Sequence, residues 1–149
     1  MSRKSPLGRA RLWVPPVGYM LLIFFLSSQP SPLPEITKRV WDKALHVIEY
    51  GTLAVLFCRA LIGEGHGRLA SLLLSVVLTS AYGASDEWHQ SFVPHRTSDV
   101  YDWFADSIGG GAGIAAFAAI DLVLHGRAHD RPTATRTPIE SRDIRSLDR

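Results

Sequence analysis

The feature that most constrains this chain is a series of apolar stretches, each long enough to cross a bilayer. A membrane-spanning helix needs about 20 mostly apolar residues. Four such stretches can be drawn, at 12–28, 41–62, 69–90 and 99–125. Mean hydropathy over the chain is only +0.08, because polar ends offset this apolar middle. We therefore exclude a soluble single-domain protein and expect an all-α membrane protein with four transmembrane helices, its membrane domain spanning residues 12–125.

Both ends of the chain are polar. Residues 1–11 carry four basic residues and no acids, and residues 126–149 are rich in Arg, Thr, Pro and Asp without apolar periodicity. We expect a basic N-terminal segment and a disordered C-terminal tail. The basic start before an apolar run imitates a signal peptide, but the run from Leu12 to Ser28 is long and lacks a clear cleavage motif. These features favour an uncleaved first helix.

The placement of Lys and Arg predicts the orientation of the bundle. With the N-terminus inside, twelve basic residues fall on the inner side and four on the outer side. Cytoplasmic loops carry the excess of Lys and Arg. Both termini are therefore expected in the cytoplasm.

Several other kinds of site can be set aside from composition. The chain has one cysteine, Cys58, which excludes an intrachain disulfide and a four-cysteine zinc site. Its basic residues belong to the inner flanks and the tail, without the aromatic interleaving of a nucleic-acid surface. We therefore expect no nucleic-acid partner.

A glycine-rich run in the fourth helix indicates close helix packing. Gly109 and Gly113 form a small-xxx-small pair, which lets a neighbouring backbone approach. The expected partners are Ser80, Ala81, Gly83 and Ala84 of the third helix, and a homodimer through the glycine face is a second expectation. The alternative is that these glycines only loosen the helix as a hinge.

Polar residues that are far apart in the sequence fall at one end of this bundle. They lie on one face of the second helix, at the end of the third, in the following turn and on the first half of the fourth. The residues are Asp42, His46, Glu49, Tyr50, Asp86, Glu87, His89, Gln90, Arg96, Asp99, Asp102 and Asp106. Ionisable groups in membrane segments normally face the bundle interior or a wet cavity, so we expect a shared polar cavity. For Glu35, Asp42, Lys43 and Asp99 we prefer simple interfacial helix ends.

The residue types in this group allow more than one chemistry. A histidine among carboxylates can act in acid–base catalysis, with His46, Asp86 and Glu87 as the candidate catalytic residues. His46 could also ligate a metal with Asp86, Glu87 or His89, but no fixed metal-binding motif is present, so no metal or cofactor is expected. Arg96 can bind a phosphate or carboxylate in a bidentate manner, or form a salt bridge to Asp99 or Asp102.

Three segments, residues 42–51, 85–96 and 102–109, resemble the signature blocks of the VanZ-like family of small bacterial membrane proteins. They contain a Lys-x-x-His-x-x-x-Tyr block, an Asp-Glu-x-x-Gln block with Pro-x-Arg, and an Asp before a glycine-rich helix. The resemblance covers roughly residues 12–125. Two departures, His95 where glycine is common and Asp106 where asparagine is common, affect the fine geometry.

The resemblance implies a multi-pass protein of the bacterial cytoplasmic (inner) membrane. The name-giving member is associated with low-level resistance to teicoplanin. By matching motif, the site residues that carry over are Lys43, His46, Tyr50, Asp86, Glu87, Gln90, Arg96 and Asp102. Glu49 and Asp106 complete the set of ten, which we call the polar set.

Three functional hypotheses follow. The first is an outward-facing cavity that binds the head group of a membrane lipid or lipid-linked cell-envelope precursor, with Arg96 and Lys43 on phosphate and His46 and the carboxylates on hydroxyl or amine groups. The second is an integral-membrane enzyme in which His46 and Asp86/Glu87 act as acid and base. The third is a purely structural polar network that fixes the helix arrangement.

Overall fold

The computed structural model describes residues 5–29, 35–94, 96 and 98–129, without the side chains of 35–42 and 125–129. It contains four α-helices, α1 (Pro6–Ser27), α2 (Glu35–Glu64), α3 (Arg68–Gln90) and α4 (Val100–His129), and no strand in the described part of the chain. The predicted tail beyond residue 129 and the side chain of Asp42 lie outside the described residues.

All four helices are long and apolar enough to cross a membrane. The spans are Pro6–Ser27, Lys43–Glu64, Arg68–Gln90 and Val100–Leu124. Many large apolar side chains point away from the bundle, as expected for a lipid-facing surface; Leu21 and Leu122, for example, are 65% and 73% exposed. The expected fold class, an all-α protein with four transmembrane helices, is confirmed. The orientation of the termini stays a prediction.

Helix α1 begins at Pro6, six residues before the expected start. Ser5 is its N-cap, and the Ser5 hydroxyl accepts a hydrogen bond from the backbone N–H of Gly8 at 3.2 Å. Proline at the first helical position suits this start, because its missing N–H has no helical partner there. Pro15 and Pro16 therefore lie inside the helix and not in its first turns.

Two other helix boundaries also differ from the expectation. Helix α2 begins at Glu35 instead of residue 41, directly after the last of three prolines in the connecting segment. Helix α4 continues through His129, so Gly126 lies within a helix and does not end it. A single glycine costs a helix only about 1 kcal/mol, which neighbouring turns can offset.

Helix α2 is the central element of the bundle. It packs against α1, α3 and α4, whereas α1 packs against α2 and α3 but not against α4. One apolar core joins α1 to α2 through Ile23, Tyr50 and Phe57. A second lies between α2 and α4 around Cys58 and Ile114. The pocket described below lies among α1, α2 and α3.

Helices α2 and α4 approach each other through glycine, and we call this contact the glycine seam (Gly51, Gly109 and Gly113). A Cβ atom at Gly109 would lie 2.7 Å from the Cα of Val47, and one at Gly113 would lie 2.7 Å from the Cα of Gly51. The expected close packing is present, but its partner helix is α2 and not α3. A homodimer stays a prediction, and this glycine pair already packs against α2 within one chain.

The two ends of the bundle carry different polar groups. The polar end holds Ser27, residues 43–50 of α2, the first turns of α4 and the last turns of α3. At the opposite end, Arg9 pairs with Glu64 at 2.9 Å, and Arg68 pairs with Asp121. The opposite end is thus held by peripheral pairs, whereas the polar groups of the polar end lie inside the bundle.

Candidate functional site

The polar set converges at the polar end. Seven of the ten side chains are buried, namely His46, Tyr50, Asp86, Glu87, Gln90, Asp102 and Asp106. Lys43, Glu49 and Arg96 are half-buried. Burial of ionisable groups costs free energy unless they are paired or hydrogen-bonded, so the partners of each group determine its role.

Asp86 is the acceptor of a network that joins three helices. Its carboxylate accepts hydrogen bonds from Ser27 Oγ of α1 at 2.7 Å, Tyr50 OH of α2 at 3.2 Å and Gln90 Nε2 of α3 at 2.9 Å. A carboxylate offers about four acceptor positions, so three donors nearly fill it. Asp86 is therefore held firmly in place. Sequence reasoning missed Ser27, whose only signal is a hydroxyl in the last turn of an apolar helix.

His46 is paired with Asp106 across the contact of α2 and α4. His46 Nδ1 lies 2.7 Å from Asp106 Oδ1, and the two side chains are 8% and 0% exposed. The imidazole is parallel to the ring of Tyr50, with the centroids 6.0 Å apart. The second oxygen, Asp106 Oδ2, lies against α3 at Gly83, where a Cβ would be only 2.7 Å away. Gly83 therefore makes the room that this carboxylate occupies.

Glu87 connects α3 to the start of α4. Its Oε2 accepts hydrogen bonds from the Asp99 backbone N–H at 2.9 Å and from Ser98 Oγ at 3.3 Å. A carboxylate before the first turn satisfies an N–H and interacts favourably with the helix dipole. Its other oxygen, Oε1, is buried without a hydrogen-bond partner among the described residues.

Lys43 forms ion pairs with two aspartates at the start of α4. Its Nζ lies 2.6 Å from Asp102 Oδ1 and 3.6 Å from Asp99 Oδ2, and 5.8 Å from the centroid of the Tyr101 ring. The two carboxylates neutralise the ammonium group, and the ring lies beside it. The expected contact between Lys43 and a phosphate would require it to leave these partners.

Arg96 binds α3 and the end of α1 instead of the aspartates of α4. Its Nη1 donates to Gln90 Oε1 at 3.1 Å, and its Nε donates to the carbonyl of Gln29 at 3.3 Å. Gln90 thus links the guanidinium to Asp86. Within the described residues Arg96 forms no salt bridge, so the alternative of a bridge to Asp99 or Asp102 is wrong, because Lys43 occupies both carboxylates.

A pocket of about 220 Å³ opens beside this network, between α1, α2 and α3. Its apolar wall is formed by Ile23, Leu26 and Leu45. Its polar wall is formed by Ser27, His46, Glu49, Asp86, Gln90 and Arg96. Five members of the polar set therefore line the pocket, while Lys43, Tyr50, Glu87, Asp102 and Asp106 lie behind or beside it.

One group of side chains has the composition of a metal site. His46, Glu87 and Asp106 each offer one ligand atom, and these atoms lie within 4.8 Å of one another. Sequence reasoning considered His46 with Glu87 but not with Asp106. His89, the other histidine considered, is turned towards α1, where it stacks on Phe24 and lies 3.1 Å from Ser28 Oγ.

Comparison with protein families places this arrangement in a known group. The chain matches the family described as VanZ/LLP1 over residues 11–121, which is more than half of its 149 residues and includes the whole polar set. No curated protein and no solved structure matches it. From the family match and the four membrane-spanning helices, we conclude that the chain belongs to the VanZ/LLP1 family and is a multi-pass membrane protein.

Proposed function

We propose that this protein binds the polar head group of a membrane lipid or lipid-linked cell-envelope precursor in the pocket between α1, α2 and α3. The observation that carries the proposal is that the lining of the pocket combines three apolar side chains with six polar ones, here called its apolar and polar walls. Binding sites combine apolar surface with a few placed polar groups that fix orientation. An amphiphile whose head group and first chain carbons enter together matches both walls.

The polar wall carries charges of both signs. Arg96 supplies a guanidinium, which suits the oxygens of a phosphate, and its present partners are a side-chain amide and a backbone carbonyl. Glu49 supplies a half-buried carboxylate that suits a hydroxyl or an amine. A head group that contains a phosphate and a hydrogen-bond donor satisfies both residues. Asp86 then serves mainly to position the wall.

The size of the pocket limits what it holds. A volume of about 220 Å³ corresponds to roughly seven water molecules at about 30 Å³ each. This is room for a phosphate with a small polar substituent, and the remainder of a larger precursor would stay outside. Leu26 and Leu45 are 44% and 50% exposed on the apolar wall, so acyl or prenyl chains can lie against them in the bilayer.

The proposal also includes the side of the membrane that the pocket faces and a link to antibiotic resistance. The pocket faces the outer side of the cytoplasmic membrane in the orientation that the basic residues predict. Occupancy of an envelope precursor there would link this protein to the glycopeptide resistance that its family resemblance implies. Teicoplanin susceptibility of bacteria expressing wild type or Arg96→Ala tests this link, and equal susceptibility would contradict it.

The central test is native mass spectrometry of lipids that copurify with the protein. We expect the wild type to retain a phosphate-containing lipid, and Arg96→Ala to lose it while still inserting and folding. The matched control is Arg59→Ala, which removes an exposed arginine on the opposite half of α2. Retention that is equal in wild type and Arg96→Ala would refute the role of Arg96.

A second candidate function is catalysis on the same class of lipid. The observation that favours it is the buried His46–Asp106 pair at 2.7 Å, with His46 also on the pocket wall. A histidine oriented by a carboxylate is a common acid–base arrangement. In this case Asp106, and not Asp86, is the partner of His46, and Glu87 is a further acid–base candidate.

The two functions are separated by looking for a product. Wild-type protein is incubated with its copurified lipids, and the lipids are analysed again by mass spectrometry. A new product that is absent with His46→Ala or Glu87→Gln would establish catalysis. A retained and unchanged lipid would support binding alone.

A further inference from the structure

We propose that His46, Glu87 and Asp106 bind a divalent transition-metal ion within the membrane domain. The site lies in the interior of the bundle, with Glu87 and Asp106 behind the pocket and His46 at its wall. This proposal does not depend on the head-group proposal. Each ligand comes from a different helix, respectively α2, α3 and α4, so a bound ion would join the three helices at one point.

The donor set suits this class of ion. One imidazole and two carboxylates are ligands that Zn²⁺ and other first-row divalent ions accept, and three protein ligands leave a further position open. Each of the three side chains offers one ligand atom, and these atoms lie within 4.8 Å of one another. All three side chains are buried, which excludes most competing water.

Two buried oxygens point to a missing partner. Glu87 Oε1 and Asp106 Oδ2 have no hydrogen-bond partner among the described residues, although both residues are more than nine-tenths buried. Asp106 Oδ2 lies against Gly83, one helical turn before Glu87 on α3, so it faces the helix that also carries the unpartnered Oε1 of Glu87. Buried polar atoms without partners are rare and costly, and a cation would satisfy both oxygens.

The remaining oxygen of each carboxylate is already held. Glu87 Oε2 is fixed by the backbone N–H of Asp99 and by Ser98, and Asp106 Oδ1 is fixed by His46. Hydrogen bonds of this kind orient carboxylate ligands in metal sites. The two unpartnered oxygens are therefore held in fixed positions by the hydrogen bonds of the other oxygen of each carboxylate.

The local charge also favours a cation. Lys43 is paired with Asp102 and Asp99, and Arg96 is bound to Gln90 and Gln29. Neither of these cations contacts Glu87 or Asp106 within the part of the chain that the structure describes. Among the described residues, the basic group that lies beside these two buried carboxylates is His46, which compensates at most one negative charge and only when protonated. The second charge lacks compensation, which is costly in a membrane interior. A divalent ion provides it.

The test is metal binding by the full chain, purified in detergent with an affinity tag that contains no histidine. After treatment with a chelator and its removal, the protein is titrated with Zn²⁺ and with Mn²⁺, and bound metal is measured by plasma mass spectrometry. We expect about one ion per chain for at least one of these metals, and roughly a tenfold or larger loss of affinity in Glu87→Gln and in Asp106→Asn. The matched control is Glu64→Gln, which removes a carboxylate at the opposite end of the bundle and should leave metal binding unchanged.

A spectroscopic measurement covers the case in which the variants fail to fold. X-ray absorption of the metal-loaded wild type should show oxygen and nitrogen neighbours near 2.0–2.2 Å, as is usual for zinc, with scattering from one imidazole. The proposal is overturned if the wild type binds neither ion stoichiometrically, if the spectrum lacks imidazole, or if folded Glu87→Gln and Asp106→Asn bind as tightly as wild type. A wild type that binds the metal but retains no lipid would contradict only the head-group proposal.

Discussion

Helices α2 and α4 are joined in two different ways along their length. Around Gly51, Gly109 and Gly113, backbone lies against backbone, and no side chain beyond glycine fits. Within about two turns towards the polar end, the same helices are joined by the side-chain pairs His46–Asp106 and Lys43–Asp102. The glycine seam has a purely steric requirement, whereas the polar contact has a chemical one.

This difference shows how a small bundle can keep ionisable groups inside a membrane. Close backbone packing supplies van der Waals contact, which holds membrane helices together without a hydrophobic driving force. The helices are thereby fixed at a distance at which His46 and Asp106 can meet.

Substitution in the glycine seam should have the largest effect. We expect Gly109→Val to prevent folding, because its side chain would overlap the Val47 backbone, and overpacking already costs about 1 to 3 kcal/mol where neighbours can move. The control is Gly111→Val on the same helix, where a Cβ meets nothing within 4 Å. The measurement is the yield of monodisperse protein in detergent. Equal yields would show that the seam is not tight.

Gly83→Ala should displace the Asp106 side chain without removing any polar group. The new Cβ would lie 2.7 Å from Asp106 Oδ2, so the carboxylate must shift. We expect a loss of about 1 to 3 kcal/mol in the free energy of unfolding and weaker metal binding. Chemical denaturation in detergent and metal titration give the two values. Unchanged metal affinity would indicate that the position of Asp106 is not critical.

Asp102→Asn removes a charge but not the shape of the polar contact. The Lys43–Asp102 pair is partly exposed, with side chains 40% and 12% exposed. We therefore expect a loss of about 1 kcal/mol in the free energy of unfolding. Thermal stability in detergent measures it. A purely structural role predicts that stability falls while lipid retention per folded molecule is unchanged. Normal stability with lost retention would assign Asp102 to binding.

Arg9→Ala should have the smallest effect. Arg9 pairs with Glu64 at the opposite end of the bundle, and its side chain is 63% exposed. Exposed pairs contribute about 1 kcal/mol or less and are screened by salt. We expect a small loss of thermal stability that disappears at high ionic strength. A larger loss of thermal stability in Arg9→Ala than in Asp102→Asn would show that the ion pair at the opposite end contributes more to stability than the one at the polar end.

Much of this architecture is predictable, because membrane thickness fixes the length of an apolar helix. Four such stretches with short connections alternate in direction, and this brings the end of α3 beside the starts of α2 and α4. The gathering of the polar set follows from that alternation. The early start of α1 was also visible, since Ser5-Pro6 is a typical N-cap followed by proline.

The individual contacts were not predictable in the same way. Whether His46 meets Asp86 or Asp106 depends on the rotation and axial offset of α2 against its neighbours, which helical spacing along one chain does not specify. The glycine pair of α4 shows the same limit, because its sequence marks a close approach but not the partner helix. Ser27 was missed because a hydroxyl in an apolar helix usually bonds its own backbone, as Ser27 also does to Phe24.

The attachment of α1 has a consequence for how the pocket is reached. Helix α1 forms one wall of the pocket, does not touch α4, and meets α3 through the Ser27–Asp86 and Tyr82–Met20 hydrogen bonds among its few contacts. Displacing α1 would therefore leave the glycine seam and the α3–α4 contact intact. Helix α1 is thus the wall that is least attached to the rest of the bundle, and we expect a ligand diffusing in the plane of the bilayer to enter beside it.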